Sequence, residues 1–440
     1  MSKEELLDHI LPEVFSEFNQ LAEYLSSTGQ TPSIEEMEAS YRQVMLRLGG
    51  KLIEQVVALK GYGKQGTRVD CNCGGTATFE GYRPKMLTSM IGAARVERAY
   101  YHCSDCRSGF APIDSVLGIG SGTFSPAVER GICSLAAVEP FEKVSEHMYD
   151  LSAVSVSAKA VQMTSESWGE RIAQEERALV EAVFQDEEQV QAEDHPEVLC
   201  IGLDGKIVSL LDRGRELKVA SIYDLVHPKD ASMDKLRPGK TSYIGMFRDS
   251  CGFGRHVWVE AIRRGAERAR AVIVLGDGAV WIWNLAAEHF PEAIQILDIY
   301  HVKEHLWELG KVLYGEGNKK TKSFVEYKCR QIESGKVDKV ISALKKLKVA
   351  AGEKAEKLRV ETGYLESNRC RMNYPSYRKC GYHIGSGMVE SACKQFGARL
   401  DQAGMRWIET GAGAIAALRA LWLSNRWESY WKPVRPPLYA

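Results

Sequence analysis

The chain opens on a helical period. Leu7, Ile10, Val14, Phe18, Leu21 and Leu25 recur three or four residues apart, which puts them on one helix face. Thr31-Pro32-Ser33 followed by Glu35-Glu36 reads as the start of a second helix, a capping side chain with acids in the first turn. That helix runs from about Ile34 to Leu59, and Gly61, Gly63 and Gly66 end it. Beyond residue 67 helix formers become rare. Met86 to Gly92 and Ala94 to Tyr101 read as two strands around a glycine turn, in a stretch that holds four cysteines.

From 123 to 182 the helical period returns. Pro140 to Tyr149 and Ala158 to Ile172 are helices joined by a Ser152–Ser157 turn, an arrangement compatible with a helix-turn-helix unit. Glu175 to Glu197 is a strongly acidic helix and linker. From Val198 the pattern alternates. Val198–Leu203 is an unbroken apolar run, the mark of a strand buried on both faces. Lys218–Val226 and Ser242–Phe247 follow as strands, and Arg255–Val259 reads as another. Ala271–Leu275 and Ala293–Leu297 are strands that alternate with helices at Trp281–His289 and His301–Leu313. Residues 320–366 are helical and lysine-rich, an insertion ahead of closing helices at Ser386–Ala398 and Trp407–Trp427.

The fold class expected is therefore multidomain α+β. Residues 1–66 form a helical region and 67–112 a cysteine-bearing ribbon. Residues 113–195 form a helical, possible helix-turn-helix region. An α/β domain occupies 196–440, with its helical insertion at about 315–380.

Composition adds little to this picture until it is divided along the chain. The 440 residues hold 57 Lys+Arg against 58 Asp+Glu, a net charge of −1, which on its face argues against a polyanionic partner. The balance is uneven, however. Residues 111–200 carry 5 basic and 17 acidic side chains, and residues 301–440 carry 26 basic and 14 acidic. Such asymmetry suggests a basic interaction surface in the carboxy-terminal third. No basic n-region with an apolar stretch opens the chain, and no run of about 18 apolar residues interrupts it. Eleven cysteines, an odd number, suit reduced thiols or a metal site better than a disulfide framework. A soluble, cytoplasmic protein without membrane association is expected.

Three constellations could carry chemistry. Cys71-Asn72-Cys73 and Cys103-Ser104-Asp105-Cys106, joined by a small hairpin, offer four thiolates to a tetrahedral Zn2+, with His102 as a possible substitute ligand. The segment is too short to build a core, so metal would supply its folding energy. Asp204 and Asp277 each follow a buried strand, in Leu203-Asp204-Gly205 and Gly276-Asp277-Gly278. Ligands of open α/β sheets gather at such strand ends, and paired carboxylates there suit Mg2+. Glu390, in a helix opening with Gly385-Ser386-Gly387, is the third acid wanted. Asp298-Ile299-Tyr300-His301 is again at a strand end, so Asp298 rivals Asp277. His301 and His305, four apart on one helix, have zinc-binding spacing but lack the glutamate of a metalloprotease motif.

Taken in order, Leu203-Asp204-Gly205, Gly276-Asp277-Gly278-Ala279-Val280-Trp281-Ile282, Asp298-Ile299-Tyr300-His301 and Gly385-Ser386-Gly387-Met388-Val389-Glu390-Ser391 resemble bacterial insertion-sequence transposases. They are most similar to the ISKra type, relatives of the Mutator-like superfamily. Cys71-Asn72-Cys73-Gly74-Gly75, Arg98 to Cys103 and Gly404-Met405-Arg406-Trp407 share the likeness. The resemblance implies an RNase H-like catalytic domain with a DDE triad, carried over to Asp204, Asp277 and Glu390, with Asp298 and His301 accessory. It implies Mg2+ or Mn2+ at the acids, Zn2+ at the ribbon, and cleavage and joining of transposon ends. DNA partners would be terminal inverted repeats and target DNA, handled in the bacterial nucleoid by a homodimer or higher multimer. Lys345, Lys346, Lys348, Arg399 and Arg406 are candidates for phosphate contact. The alternatives are a structure-specific nuclease on the same fold without strand transfer, and a non-catalytic zinc-ribbon DNA-binding regulator.

Overall fold

The computed structural model describes residues 3–27, 31–120, 122–227 and 236–432. The chain divides into two compact units, with the boundary between Ser165 and Glu166.

In the first unit, α1 (Lys3–Ser27) and α2 (Ile34–Leu59) are the opening helices. Ser33 and Glu36 cap α2 reciprocally: Ser33 Oγ accepts from the Glu36 amide at 3.2 Å, and Glu36 Oε2 accepts from the Ser33 amide at 2.8 Å. Buried Glu17 of α1 ties down α2 through Arg47 at 2.9 Å and Lys51 at 3.0 Å. An antiparallel sheet follows, in the order β1 (Arg68–Asp70), β2 (Thr76–Ser89), β3 (Gly92–Cys103) and β4 (Gly109–Phe110). Ser89 pairs with Gly92 across the two-residue turn Met90-Ile91. Gly49 and Gly50 let α2 touch this hairpin backbone to backbone; a Cβ at either would lie 2.0 Å from the carbonyl oxygen of Ile91 or Ala93. After α3 (Pro112–Leu117), helices α4 (Pro126–Ala136), α5 (Phe141–Ser152) and the start of α6 (Ala158–Phe184) enclose Val128, Ile132, Val144, Met148 and Val161. The α6 helix continues twelve residues past Ile172. Arg171 and Glu175, four residues apart on this continuous helix, pair at 2.8 Å.

The second unit is built on a five-stranded sheet of order β7-β6-β5-β8-β9. Its first three strands in sequence, β5 (Val198–Ser209), β6 (Gly214–Val226) and β7 (Arg237–Met246), form an antiparallel meander. Arg255–Val259 is not a strand. It lies inside α7 (Ser250–Arg263), where Asp249 caps the first turn by accepting the Gly252 amide at 2.7 Å. Phe253, Val257 and Ala261 then face the core at helical spacing, and this outweighs the β-prone Val257-Trp258-Val259 run. Strand β8 (Ala271–Gly276), helix α8 (Val280–His289), strand β9 (Ile294–Leu297) and helix α9 (Ile299–Tyr314) complete the α/β part, with β8 and β9 parallel to β5. Four helices then occupy 319–379: α10 (Lys319–Glu333), α11 (Val337–Lys345), α12 (Glu353–Ser367) and α13 (Tyr374–Lys379). The chain returns to the sheet with α14 (Gly387–Leu400) on β5 and β6, α15 (Glu409–Leu423) on β7, and the short α16 (Trp427–Trp431). Among the described residues no helix is long and apolar enough to cross a membrane.

Candidate metal centres

The sheet register places the acids. On parallel neighbours, Gly202 of β5 pairs with Leu275 of β8, and Gly276 of β8 pairs with Leu297 of β9. Carried on by one or two residues, that register sets Asp204, Asp277 and Asp298 in one row across three adjacent strands. Helix α14 supplies the fourth acid. It crosses β5 so closely that a Cβ on Gly202 would lie 3.1 Å from Val389 Cβ. Its first turn presents Glu390, and one turn later the Cys393 thiol lies 3.4 Å from Asp204 Oδ2.

At one end of this row Asp298 forms a tight group with His301 and Glu390. Ligand atoms of Asp298, His301 and Glu390 all lie within 4.8 Å of one another, a set that could hold a metal ion. Asp204 and Asp277 are outside that tight group. Ser386 explains part of it, since its hydroxyl reaches both Asp298 Oδ2 and Glu390 Oε1, the latter at 2.7 Å. Asp298 also accepts from the Tyr300 amide at 2.7 Å and from His301 Nδ1 at 2.9 Å. Burial alone would push the Asp298 pKa up, but His301, Ser386 and the Tyr300 amide together hold it below the ordinary carboxylate value. Donating that hydrogen bond to Asp298 raises the His301 pKa from 6.5 to about 9, which favours the imidazolium at neutral pH. Asp204 behaves in the opposite way. Burial, reinforced by the charge of Asp277, raises its pKa despite the Gly205 amide it accepts at 2.7 Å. His301 supplies positive charge to Asp298, whereas the raised Asp204 has no cationic partner in hydrogen-bond contact among the described residues, and a hard divalent cation suits such a carboxylate.

The paired histidines are separated by the fold. His301 faces Asp298, whereas His305 Nδ1 contacts Glu361 Oε2 at 2.6 Å and its ring stacks on Tyr364 with centroids 3.8 Å apart. They do not share a ligand site.

The four cysteines of the first unit converge. Cys71 and Cys106 sulfurs are 3.6 Å apart, those of Cys73 and Cys103 3.7 Å, and all four lie within 4.8 Å. A tetrahedron with metal–sulfur bonds of about 2.3 Å has edges of about 3.8 Å. Two tight turns shape the set. In one, the Gly74 amide donates to the Cys71 carbonyl at 2.9 Å, with Gly74 at φ +86°; in the other, the Cys103 amide donates to the Ser108 carbonyl at 2.9 Å, with Arg107 at φ +60°. The Ser108 hydroxyl, 2.9 Å from Cys106 Sγ, lowers that thiol to a pKa of about 6. The Gly75 amide favours the Cys73 thiolate, but the sulfurs of Cys106, Cys71 and Cys103 outweigh it and push Cys73 up to about 12. The cluster therefore resists full ionisation until a cation joins it. His102 points elsewhere, its Nδ1 3.9 Å from Glu80.

The basic candidates fare differently. Lys346, Lys348 and Arg406 are exposed. Lys345 is exposed but ion-paired with Glu366. Arg399 is fully buried over the Trp407 ring, 5.1 Å from its centroid, so its guanidinium is not on a surface a phosphate can reach. Three contributors are not singled out by sequence reasoning. Ser386 stood in the quoted Gly385-Ser386-Gly387 motif, and Cys393 follows Glu390 by three residues on the same helix face. Tyr364 carried no signal.

Residues 33–428 match the family described as Uncharacterised protein family (UPF0236), and the chain belongs to that family. No curated protein matches it.

Proposed function

We propose that this protein is a DDE-type DNA transposase that cleaves and joins element ends by metal-assisted phosphoryl transfer. The observation that carries this reading is the row of Asp204, within β5, and Asp277 and Asp298, just past the ends of β8 and β9, with Glu390 brought over β5 by α14. The strand order β7-β6-β5-β8-β9, an antiparallel meander extended by two parallel strands, supports an RNase H-like sheet. Asp204, Asp277 and Glu390 would hold Mg2+ or Mn2+, and the chemistry such ions supply is activation of a water or 3′-hydroxyl together with stabilisation of charge at phosphorus. Ser386 bridges Asp298 and Glu390, and His301 fixes Asp298. The four cysteines would hold Zn2+ as a structural ion, because every ligand is a protein group. Lys346, Lys348 and Arg406 are the exposed candidates for DNA phosphates, and a homodimer or higher multimer would pair the two ends.

The test is cleavage of DNA bearing the element's terminal repeats. Asp204→Ala, Asp277→Ala and Glu390→Ala should each lower Mg2+-dependent cleavage by about two to three orders of magnitude, as loss of a principal charge-stabilising group does. Asp298→Asn should cost less. Full activity in any of the three alanine variants removes that residue from the triad. Cleavage without joining of a 3′-hydroxyl end to target DNA would select the nuclease reading instead.

A further inference from the structure

The loop that carries Asp277 is held from outside the sheet. Asp277 sits between β8 and α8, and its Oδ1 accepts the Ala279 amide at 2.9 Å. Gly278 has φ +107°, a left-handed conformation suited to glycine. The ring of Tyr364 lies directly on this glycine, since a Cβ there would come within 2.6 Å of Tyr364 Cε2. The Tyr364 hydroxyl donates to the Asp277 carbonyl oxygen at 2.7 Å. Tyr364 belongs to α12, within the helical insertion, and is fixed in turn by its stack on His305. His305 contacts Glu361, which is buried, and Lys357 pairs with the other Glu361 oxygen at 2.7 Å. Lys357, Glu361 and Tyr364 are spaced four and three apart, so one face of α12 makes all these contacts.

We infer that Tyr364 is a positioning residue through which the helical insertion holds the Asp277 carboxylate in place for a divalent cation. This rests on the proposed reading of the acids as a metal site. The geometry distinguishes it from ordinary packing. Packing needs only the ring, whereas the hydroxyl is spent on the backbone of the one residue in the loop that carries an acid. The insertion is thus more than a surface for lysines. It closes on the loop it would have to steady, and movement of α12 would be felt at Asp277.

The experiment compares full-length wild type, Tyr364→Phe and the Asp204→Ala/Asp277→Ala double variant. Phe keeps the ring on Gly278 and the stack on His305 and removes only the hydroxyl, so the melting temperature should stay close to wild type. Hydrogen–deuterium exchange is read first, without metal. Amides of residues 276–280 should exchange about three- to tenfold faster in Tyr364→Phe, the effect of losing one hydrogen bond. A Mn2+ titration followed by electron paramagnetic resonance should show a Kd weakened by a similar factor. Unchanged exchange together with unchanged Mn2+ affinity would overturn the inference. Faster exchange with unchanged affinity would overturn it too, because the loop would be held without positioning the acid. Wild type that binds Mn2+ no better than the double variant would bring down the metal reading and this inference together, whereas clear wild-type binding matched by Tyr364→Phe would bring down the inference alone.

Discussion

Asp298 is fully buried, and it is held ionised by three donors: the Tyr300 amide, the Ser386 hydroxyl and the His301 imidazole. This has a definite pH signature. The folded pKa of His301 is raised from 6.5 to about 9, so its stabilisation is complete below the unfolded value and is lost as pH rises through about 9. Asp298 is depressed, so its contribution is complete above its ordinary 3.8 and is lost as pH falls below that. The pair therefore stabilises most between those limits. The gap in melting temperature between wild type and His301→Gln should be steady in mildly acidic solution and should close as pH passes 9. A gap that does not change with pH would contradict the ion pair. At this scale much was legible beforehand. Asp204, Asp277 and Asp298 were visible because each follows an apolar run that reads as a buried strand, but β5 does not end at Leu203: pairing with β6 carries it through Asp204 to Ser209. Ser386 was not, because a serine between two glycines reads as turn chemistry until the strand end opposite it is known. The split between His301 and His305 was equally hidden. Their spacing permits a shared ligand, and only the placement of α12 shows that the second imidazole is already engaged.

Elements show where local pattern succeeds and where it is overruled. The Ile34–Leu59 helix was readable from its cap and its period, yet nothing local explains Gly49-Gly50 in its middle. The explanation is tertiary, because the β2–β3 turn approaches too closely for any side chain. Gly50→Ala should lower the stability of the first unit by about 1–3 kcal/mol, the usual cost of overpacking, and thermal melting checks it. Arg255–Val259 went the other way. Its β-branched residues suggested a strand, but the Asp249 cap and the Phe253, Val257, Ala261 stripe decide for helix. The cysteine ribbon is the element most dependent on a ligand. Replacing Cys103 and Cys106 with Ser should remove one metal ion per chain, measured by elemental analysis of the purified protein, and should expose residues 68–110 to proteolysis. Unchanged metal content would count against the thiolate site.

For the whole molecule, a net charge near zero conceals a division of labour. The acidic linker is partly consumed within the second unit: Asp194 meets fully buried Arg264 at 2.6 Å and Lys240 at 3.0 Å. Asp194 thus neutralises a buried cation and is not part of a free anionic surface. The basic carboxy-terminal third is likewise partly spent, with Lys345 on Glu366 and Lys357 on Glu361, while Lys346, Lys348 and Arg406 remain exposed. Substituting any of these three with Ala should weaken DNA binding across sequences and lower the slope of log affinity against log salt by about 1. An unchanged slope would place the DNA path elsewhere. Charge segregation was legible in the sequence; which cations are free was not, because ion pairing depends on helices far apart along the chain. The central claim is that Asp204 of β5, the acids that follow β8 and β9, and Glu390 form a divalent-metal centre. Anomalous diffraction from crystals soaked in Mn2+ tests it most directly. Manganese peaks bounded by Asp204, Asp277 and Glu390, with Asp298 alongside, are expected; peaks confined to other parts of the chain, or none at these carboxylates, would contradict the metal centre.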